Sequence, residues 1–327
     1  MPGIWMVAET NPDGTLARSS AELATLARTL ADAAGGGSQA AGVVVAADPE
    51  AAAEELATYL PRVVAVAEPN AADHAWGQVA AQRAAAVIGS EAGTVVLTGA
   101  GPDGRDVAGT LLALADGAVL VNATAVSWDG APSVEMSVFG GKLITTSTFA
   151  EGAGVRIVTV RPNVVNPEPA GSVGRVERAA VSGELGLPAV PIVSTEAAGG
   201  TAVSIDDARI IVAGGRGVGG DEGFKLVDEI AGLLGGAVGA TRAAVDSGWI
   251  PYAQQIGQTG KIVKPKLYLA LGISGAIQHK VGMQTSETII AVNRDPDAPI
   301  AEFADMLVVG DLFDVGRALV TELKART

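Results

Sequence analysis

Short β-branched runs alternate with alanine-rich stretches of helical length through the first half of this chain, and the alternation restarts in its last third. Ile4–Ala8, Gly42–Ala46, Val63–Ala67, Thr94–Leu97 and Ala118–Val121 read as strands. Ser20–Ala34, Pro49–Tyr59, Asp73–Gly89 and Asp106–Ala115 read as the helices between them, with Asp106 as a helix cap. Parallel strands need long crossovers, and a right-handed crossover packs its helix back onto the sheet. The rhythm therefore predicts a parallel sheet covered on both faces.

The rhythm then breaks. Residues 133–149, "SVEMSVFGGKLITTSTF", alternate around Gly140-Gly141 and predict a hairpin closed by a tight turn, with Ile157–Val160 as the next strand. Residues 162–200 are dense in Pro, Gly, Ser and Glu and read as a linker region. Beyond it come strands Ala208–Ala213, Ala237–Ala240, Leu267–Leu271, Thr288–Val292 and Met306–Val309, with helices Glu222–Leu234 and Gly275–Val281. Asp311 caps a last helix in which Val315, Leu319 and Leu323 recur at helical spacing. The fold class is α/β: two doubly wound parallel-sheet domains in tandem, residues 1–197 and 198–327.

Composition removes several function classes. A net charge of -14 argues against nucleic acid and anionic membrane surfaces. The absence of cysteine excludes disulfides, thiolate zinc sites and iron–sulfur clusters on this chain. No apolar run reaches the length of a membrane span, and the start, "MPGIWMVAETNPDG", shows no signal or transit peptide, so a cytoplasmic protein is expected.

Two glycine loops follow strands. Gly215-x-Gly217-x-x-Gly220 has the form of a dinucleotide fingerprint, in which glycines admit a pyrophosphate and a helix N-terminus favours its charge. The acid that an NAD site needs about 20 residues on is missing; Thr241 and Arg242 stand there instead. The other loop, Gly99–Arg105, reads as a tight βα connection. In an open α/β sheet the loops leaving the C-terminal strand ends converge. That convergence would gather Arg216, Arg242, Thr259, Ser274, His279, Asn293 and Asp311. The set offers cations and hydroxyls but no nucleophile–base chain, no catalytic carboxylate pair and no metal cluster. It suits a phosphorylated, electron-rich ligand without acid–base work. His74, near Trp76, reads as structural. On these residues an NAD-dependent oxidoreductase of related fold and a non-redox nucleotide-binding regulatory protein stay open as alternatives, although neither a catalytic Lys nor a His–Asp pair is found in the crevice.

"GGRG", "VGATRAAVD", "GQTGK", "LYLALGISGAIQH" and "AVNRDPDAPI…ADMLVVGDLF", in this order, resemble the electron-transfer flavoprotein α subunit, as do "WMVAE", "GRDVAG" and "FGGK" of the first domain. The family usually has serine where this chain has Thr241; both present a hydroxyl. The resemblance implies an electron carrier rather than an enzyme. Its first domain would be nucleotide-hydrolase-like and pack on a partner. Its second would be an FAD-binding domain of the deoxyhypusine-synthase-like NAD/FAD-binding fold.

One FAD per heterodimer is implied, with AMP on the partner β subunit and the Gly99–Arg105 loop empty. The implied electron donors are flavin dehydrogenases such as acyl-CoA dehydrogenases, and the acceptor is the electron-transfer flavoprotein–quinone oxidoreductase. By position, Arg216, Thr241, Arg242, Ile256, Gly257, Gln258, Thr259, Ser274, Gly275, Ala276, Ile277, Gln278, His279, Asn293, Asp311 and Leu312 would line the FAD. Arg242 is expected over the isoalloxazine, Thr259 at its N5 edge and His279 at the pyrimidine carbonyl, as a dipole or charge tuner and not a base. Arg216 and the Ser274–Gly275 turn would hold the pyrophosphate, and Asn293 and Asp311 the adenosine half.

Overall fold

The computed structural model describes residues 3–138, 143–181, 183–195, 205 and 208–326. The chain divides into two compact units, Met1–Thr195 and Glu196–Thr327.

The first unit runs β1 (Ile4–Ala8), α1 (Arg18–Ala34), β2 (Ala40–Ala46), α2 (Glu50–Leu56), β3 (Arg62–Ala67), α3 (Trp76–Ile88), β4 (Val95–Gly99) and α4 (Pro102–Leu114). Then come β5 (Gly117–Trp128), β6 (Pro132–Val138), β7 (Leu143–Thr148), β8 (Val155–Val160) and β9 (Arg175–Arg178). All join one sheet in the order β7-β6-β5-β8-β4-β1-β2-β3-β9. Along β1 the side chains alternate: Ile4, Met6 and Ala8 pack with α1 and α2 residues, while Trp5 and Val7 pack with those of α3 and α4. Period-two burial on both faces is what a parallel strand between helical layers requires.

Four features differ from the sequence reading. Helix α4 begins at Pro102, with Gly101 as its N-cap, so Asp106 lies inside the helix and caps nothing. Proline is suited to that first position because its missing N–H would have no partner there anyway. The expected linker contains β9, a short edge strand parallel to β3 whose Glu177 accepts from the Arg62 guanidinium at 3.0 and 3.2 Å. Strand β5 is far longer than expected. It pairs parallel with β8, changes register near Asn122 (φ 60°), and continues as the antiparallel partner of β6. Strands β6 and β7 pair antiparallel from Ser133↔Thr148 to Val138↔Leu143, while the Gly140-Gly141 turn lies outside the described residues. His74 is not helical; its Nδ1 meets Asp73 Oδ1 at 2.7 Å.

The second unit runs β10 (Ile210–Gly214), α5 (Asp221–Leu233), β11 (Ala237–Ala240), α6 (Arg242–Asp246), β12 (Leu267–Leu271), α7 (Ile277–Met283), β13 (Thr288–Asn293), β14 (Met306–Val309) and α8 (Leu312–Arg326). Its five strands are all parallel, in the order β11-β10-β12-β13-β14. Val212, Leu269 and Leu271 face the cluster that holds Val227, Ile230 and Val320 of α5 and α8. Ile211, Tyr268 and Ala270 face the opposite cluster, with Met283 of α7 and Ile256. The chain steps from β10 outward to β11 and then back across to β12. The strand order therefore reverses between β10 and β12, where this architecture opens its crevice. Among the described residues, no helix is long and apolar enough to cross a membrane.

Candidate functional site

At the reversal, the loops leaving β10 and β12 touch. Gly215 N–H donates to the Leu271 carbonyl at 2.9 Å, and Gly217 N–H to that of Gly272 at 3.0 Å. A Cβ at Gly215 would lie 2.3 Å from the Gly272 oxygen, and one at Gly217 would lie 2.8 Å from the Gly272 Cα. Two of the three fingerprint glycines thus serve loop-on-loop packing, which the motif alone does not distinguish from a pyrophosphate seat. Arg216, between them, is exposed.

Thr241 and Arg242 follow the end of β11. Thr241 is the N-cap position of α6, yet its hydroxyl makes no cap bond; Thr241 Oγ1 is buried and has no hydrogen-bond partner among the described residues. A buried hydroxyl without a partner costs free energy that a ligand atom would recover. Arg242 is exposed and its Nε lies 3.2 Å from Asp246 Oδ2, one helical turn on. Such surface pairs hold their geometry weakly, so the guanidinium can leave Asp246 for a better partner.

The residues from Ile256 to Thr259 cross the N-terminal end of α7. Gln258 N–H donates to the Gln278 carbonyl at 2.7 Å, and Gly257, at φ 144°, would carry a Cβ only 2.8 Å from that same oxygen. Ser274, Ala276, Ile277 and Gln278 are exposed around this crossing; the Ile277 side chain is 73% exposed, an apolar platform between polar neighbours. Gly275, at φ 88°, packs on Ile300, where a Cβ would meet the backbone nitrogen at 2.3 Å. This left-handed residue is why α7 starts at Ile277 and not at Gly275 as the sequence suggests.

His279 is buried beneath the exposed strip. Its Nδ1 lies 2.9 Å from the Ile256 carbonyl, which can only accept, so Nδ1 carries the hydrogen. Nε2 then accepts from the Tyr268 hydroxyl at 2.9 Å. Burial lowers the imidazole pKa to about 4, against a smaller upward effect of the Ile256 hydrogen bond, and burial raises that of the Tyr268 phenol. The ring is neutral with both nitrogens committed inside the unit. In this structure the imidazole braces the Ile256 segment against α7.

The far end of the edge is also internally bonded. Asn293 Nδ2 donates to the Ile273 carbonyl at 2.9 Å and its Oδ1 accepts from Asp295 N–H at 3.0 Å. Asp311 caps α8 as expected, accepting from Phe313 N–H at 2.8 Å, and its other oxygen pairs with Arg294. The Arg294 guanidinium, then the Phe313 amide, hold its carboxyl below the usual range. Leu312 and Ile256 are core side chains, 5% and 1% exposed, so only their main chain can meet a ligand.

The structure therefore puts Arg216, Arg242, Gln258, Thr259, Ser274, Ala276, Ile277 and Gln278 exposed at the C-terminal edge of the sheet, with the Thr241 hydroxyl buried beside them. Sequence reasoning passed over Tyr268, Gln255 and Arg294. Tyr268 alternates with leucines in "LYLAL" and reads as plain core, and nothing local marks the other two.

This edge fits FAD in kind. It offers a buried hydroxyl without a partner among the described residues, two exposed arginines for phosphates or a ring, and an apolar platform. Residues 204–284 match the family model described as the electron transfer flavoprotein FAD-binding domain, and residues 4–184 match the electron transfer flavoprotein domain. The chain is 42% identical over 328 residues to the electron transfer flavoprotein subunit alpha of Mycobacterium leprae, covering 98% of each. It is 36% identical to the subunit of the same name from Bacillus subtilis, covering 95% of this chain and 94% of that one. Protein FixB of Clostridium saccharobutylicum is 35% identical, with 98% and 96% covered. A parallel α/β unit with this edge, two matching domains and near full-length identity lead to one conclusion: the chain belongs to the electron transfer flavoprotein α-subunit family.

Proposed function

We propose that the chain is the FAD-carrying α subunit of a heterodimeric electron carrier, completed by an electron transfer flavoprotein β subunit. It takes electrons from flavin dehydrogenases such as acyl-CoA dehydrogenases and hands them to a quinone oxidoreductase in the cytoplasmic compartment. One FAD per heterodimer lies along the C-terminal edge of the second unit, and an AMP belongs to the β chain. The observation that carries the reading is the clustering of the buried, unpartnered Thr241 hydroxyl with exposed Arg216 and Arg242 at the end of the parallel sheet, within the stretch that matches an FAD-binding domain.

Bound FAD would supply the redox chemistry, since a flavin can carry either one electron or two. The chain's residues bind and tune. Arg216 and the Ser274–Gly275 turn face the pyrophosphate, with main-chain N–H groups where side chains are absent. Arg242, whose exposed pair with Asp246 is weak, would hold the ring, which a guanidinium does better than an ammonium because it is planar and always charged. Thr241 supplies its hydroxyl, Ile277 the apolar floor, and Gln258 and Thr259 the donors at the ring edge. Asn293 and Asp311 shape the adenosine end without needing free donors. His279 keeps the Gly257–Thr259 backbone in place from below.

Purification with the co-expressed β chain, followed by release and chromatography of the flavin, tests the assignment. One FAD per heterodimer is expected; FMN, or no flavin after loading with FAD, would remove it.

A further inference from the structure

The turn that presents Thr259 is held from beneath by Gln255. Gly260 N–H donates to the Gly257 carbonyl at 3.1 Å, and Gly257 N–H to that of Lys261 at 3.1 Å, so residues 257–260 form a closed tip. Gln255 is 2% exposed and lies under that tip. Its main-chain carbonyl accepts from Lys261 N–H at 2.8 Å, and its Nε2 donates to Thr259 Oγ1 at 3.1 Å. The fit is tight: a Cβ at Gly260 would lie 2.3 Å from the Gln255 oxygen. Tyr252 adds a second hold, its hydroxyl donating to the Thr259 carbonyl at 2.6 Å.

A threonine hydroxyl has a single hydrogen and two lone pairs, and its rotor sets which way the hydrogen points. When Gln255 donates into one lone pair, the hydrogen is turned away from the tip's interior, toward the exposed side. The polar edge of an oxidised isoalloxazine offers N1, both carbonyl oxygens and N5 as acceptors and N3–H as its donor. A surface serving that edge needs donors whose direction is fixed before binding, because ordering a free rotor on binding costs affinity. We propose that Gln255 is a positioning residue that makes Thr259 an outward hydrogen-bond donor to an acceptor atom of the flavin ring. The proposal rests on the reading that FAD lies along this edge. Gln255 itself is buried; its side-chain amide meets Thr259, while its main chain accepts from Lys261, donates to the Tyr252 carbonyl at 2.9 Å and bridges to Ala240.

The test is a double-mutant cycle on the full chain co-expressed with its β chain. FAD affinity is read by fluorescence titration of the apoprotein, together with the position of the bound flavin's visible absorption bands and the apoprotein melting temperature. Gln255→Met keeps the volume and removes the donor; Thr259→Val removes the hydroxyl; Thr259→Ser keeps it. Loss of one oriented hydrogen bond corresponds to about tenfold in affinity. Both Gln255→Met and Thr259→Val should show that loss and the same band shift, Thr259→Ser should stay near wild type, and Gln255→Met should cost nothing further once Thr259 is Val. Equal cost of Gln255→Met in both backgrounds would mean that Gln255 only stabilises the loop, and the proposal falls. Unchanged affinity with Gln255→Met alongside weakened affinity with Thr259→Val would overturn it too, while leaving the FAD edge intact. Wild-type affinity and bands in Thr259→Val would instead remove Thr259 from the flavin site and with it the placement of FAD. Should Gln255→Met fail to fold, Gln255→Leu and Gln255→Ala repeat the cycle, and equal cost in both backgrounds overturns the proposal there as well.

Discussion

Tyr268 donates its hydroxyl hydrogen to Nε2 of His279 at 2.9 Å, and the same imidazole donates from Nδ1 to the Ile256 carbonyl. This buried chain of polar groups ties strand β12, helix α7 and the Ile256–Thr259 segment into one piece. Its consequences are measurable without any cofactor.

His279 has a folded pKa of about 4, below its ordinary 6.5. The unfolded chain therefore binds more protons than the folded one between those values, and stability must fall as pH drops from 6.5 toward 4. Above 6.5 the contribution is fully present. The shift corresponds to about 3 kcal/mol across that window. Chemical denaturation of wild type and His279→Gln from pH 8 to 4.5 should show the steeper decline in wild type; parallel pH curves would contradict the buried neutral ring.

Tyr268→Phe leaves the His279 Nε2 lone pair buried without a donor. The expected loss is about 1–3 kcal/mol, seen as a lower urea midpoint with unchanged slope. A variant as stable as wild type would mean that the hydroxyl is dispensable.

Gly275 and Gly219 both have positive φ, 88° and 80°, but only Gly275 is crowded. Gly219→Ala pays backbone strain alone, about 1 kcal/mol. Gly275→Ala adds a clash with Ile300 and should cost a further 1–3 kcal/mol or so. Equal melting temperatures for the two variants would show that Gly275 is not tightly packed.

Asp311 does two jobs, and substitutions separate them. Asp311→Asn keeps an oxygen for the Phe313 N–H and should leave α8 stable even though the exposed pair with Arg294 is lost. Asp311→Ala loses the cap as well and should be the less stable of the two, with a gap that persists in high salt. A gap that salt erases would assign the effect to the ion pair.

Arg242→Ala should leave folding untouched, since Arg242 pairs only with exposed Asp246 at the surface. If the guanidinium lies on the flavin, removing its charge lowers the first reduction potential while FAD stays largely bound, because the oxidised ring is uncharged. An unchanged potential in a redox titration would leave Arg242 a surface residue.

What the sequence determined by itself was the architecture and the identity of the edge. Short apolar runs fixed β1, β11 and β12 to the residue, because burial of both strand faces between helices writes a local pattern that neighbouring residues reveal, and they marked the half-exposed edge strand β14 as well. The loops "VGATR", "GQTGK" and "GISGAIQH" were legible as sharing one edge because parallel strands send their C-terminal ends to the same side. Only the tertiary structure decided how those residues are employed. Whether His279 faces a ligand or the core depends on which atoms lie 11 and 23 residues away in sequence, at Tyr268 and Ile256. Whether Gly215 and Gly217 admit a phosphate or a neighbouring loop depends on how β10 and β12 lie side by side. The edge strand β9 and the cap–ion pair of Asp311 are of the same kind. Hydrogen bonds and close packing between distant segments are set by strand register and crossover path, and no local periodicity encodes them.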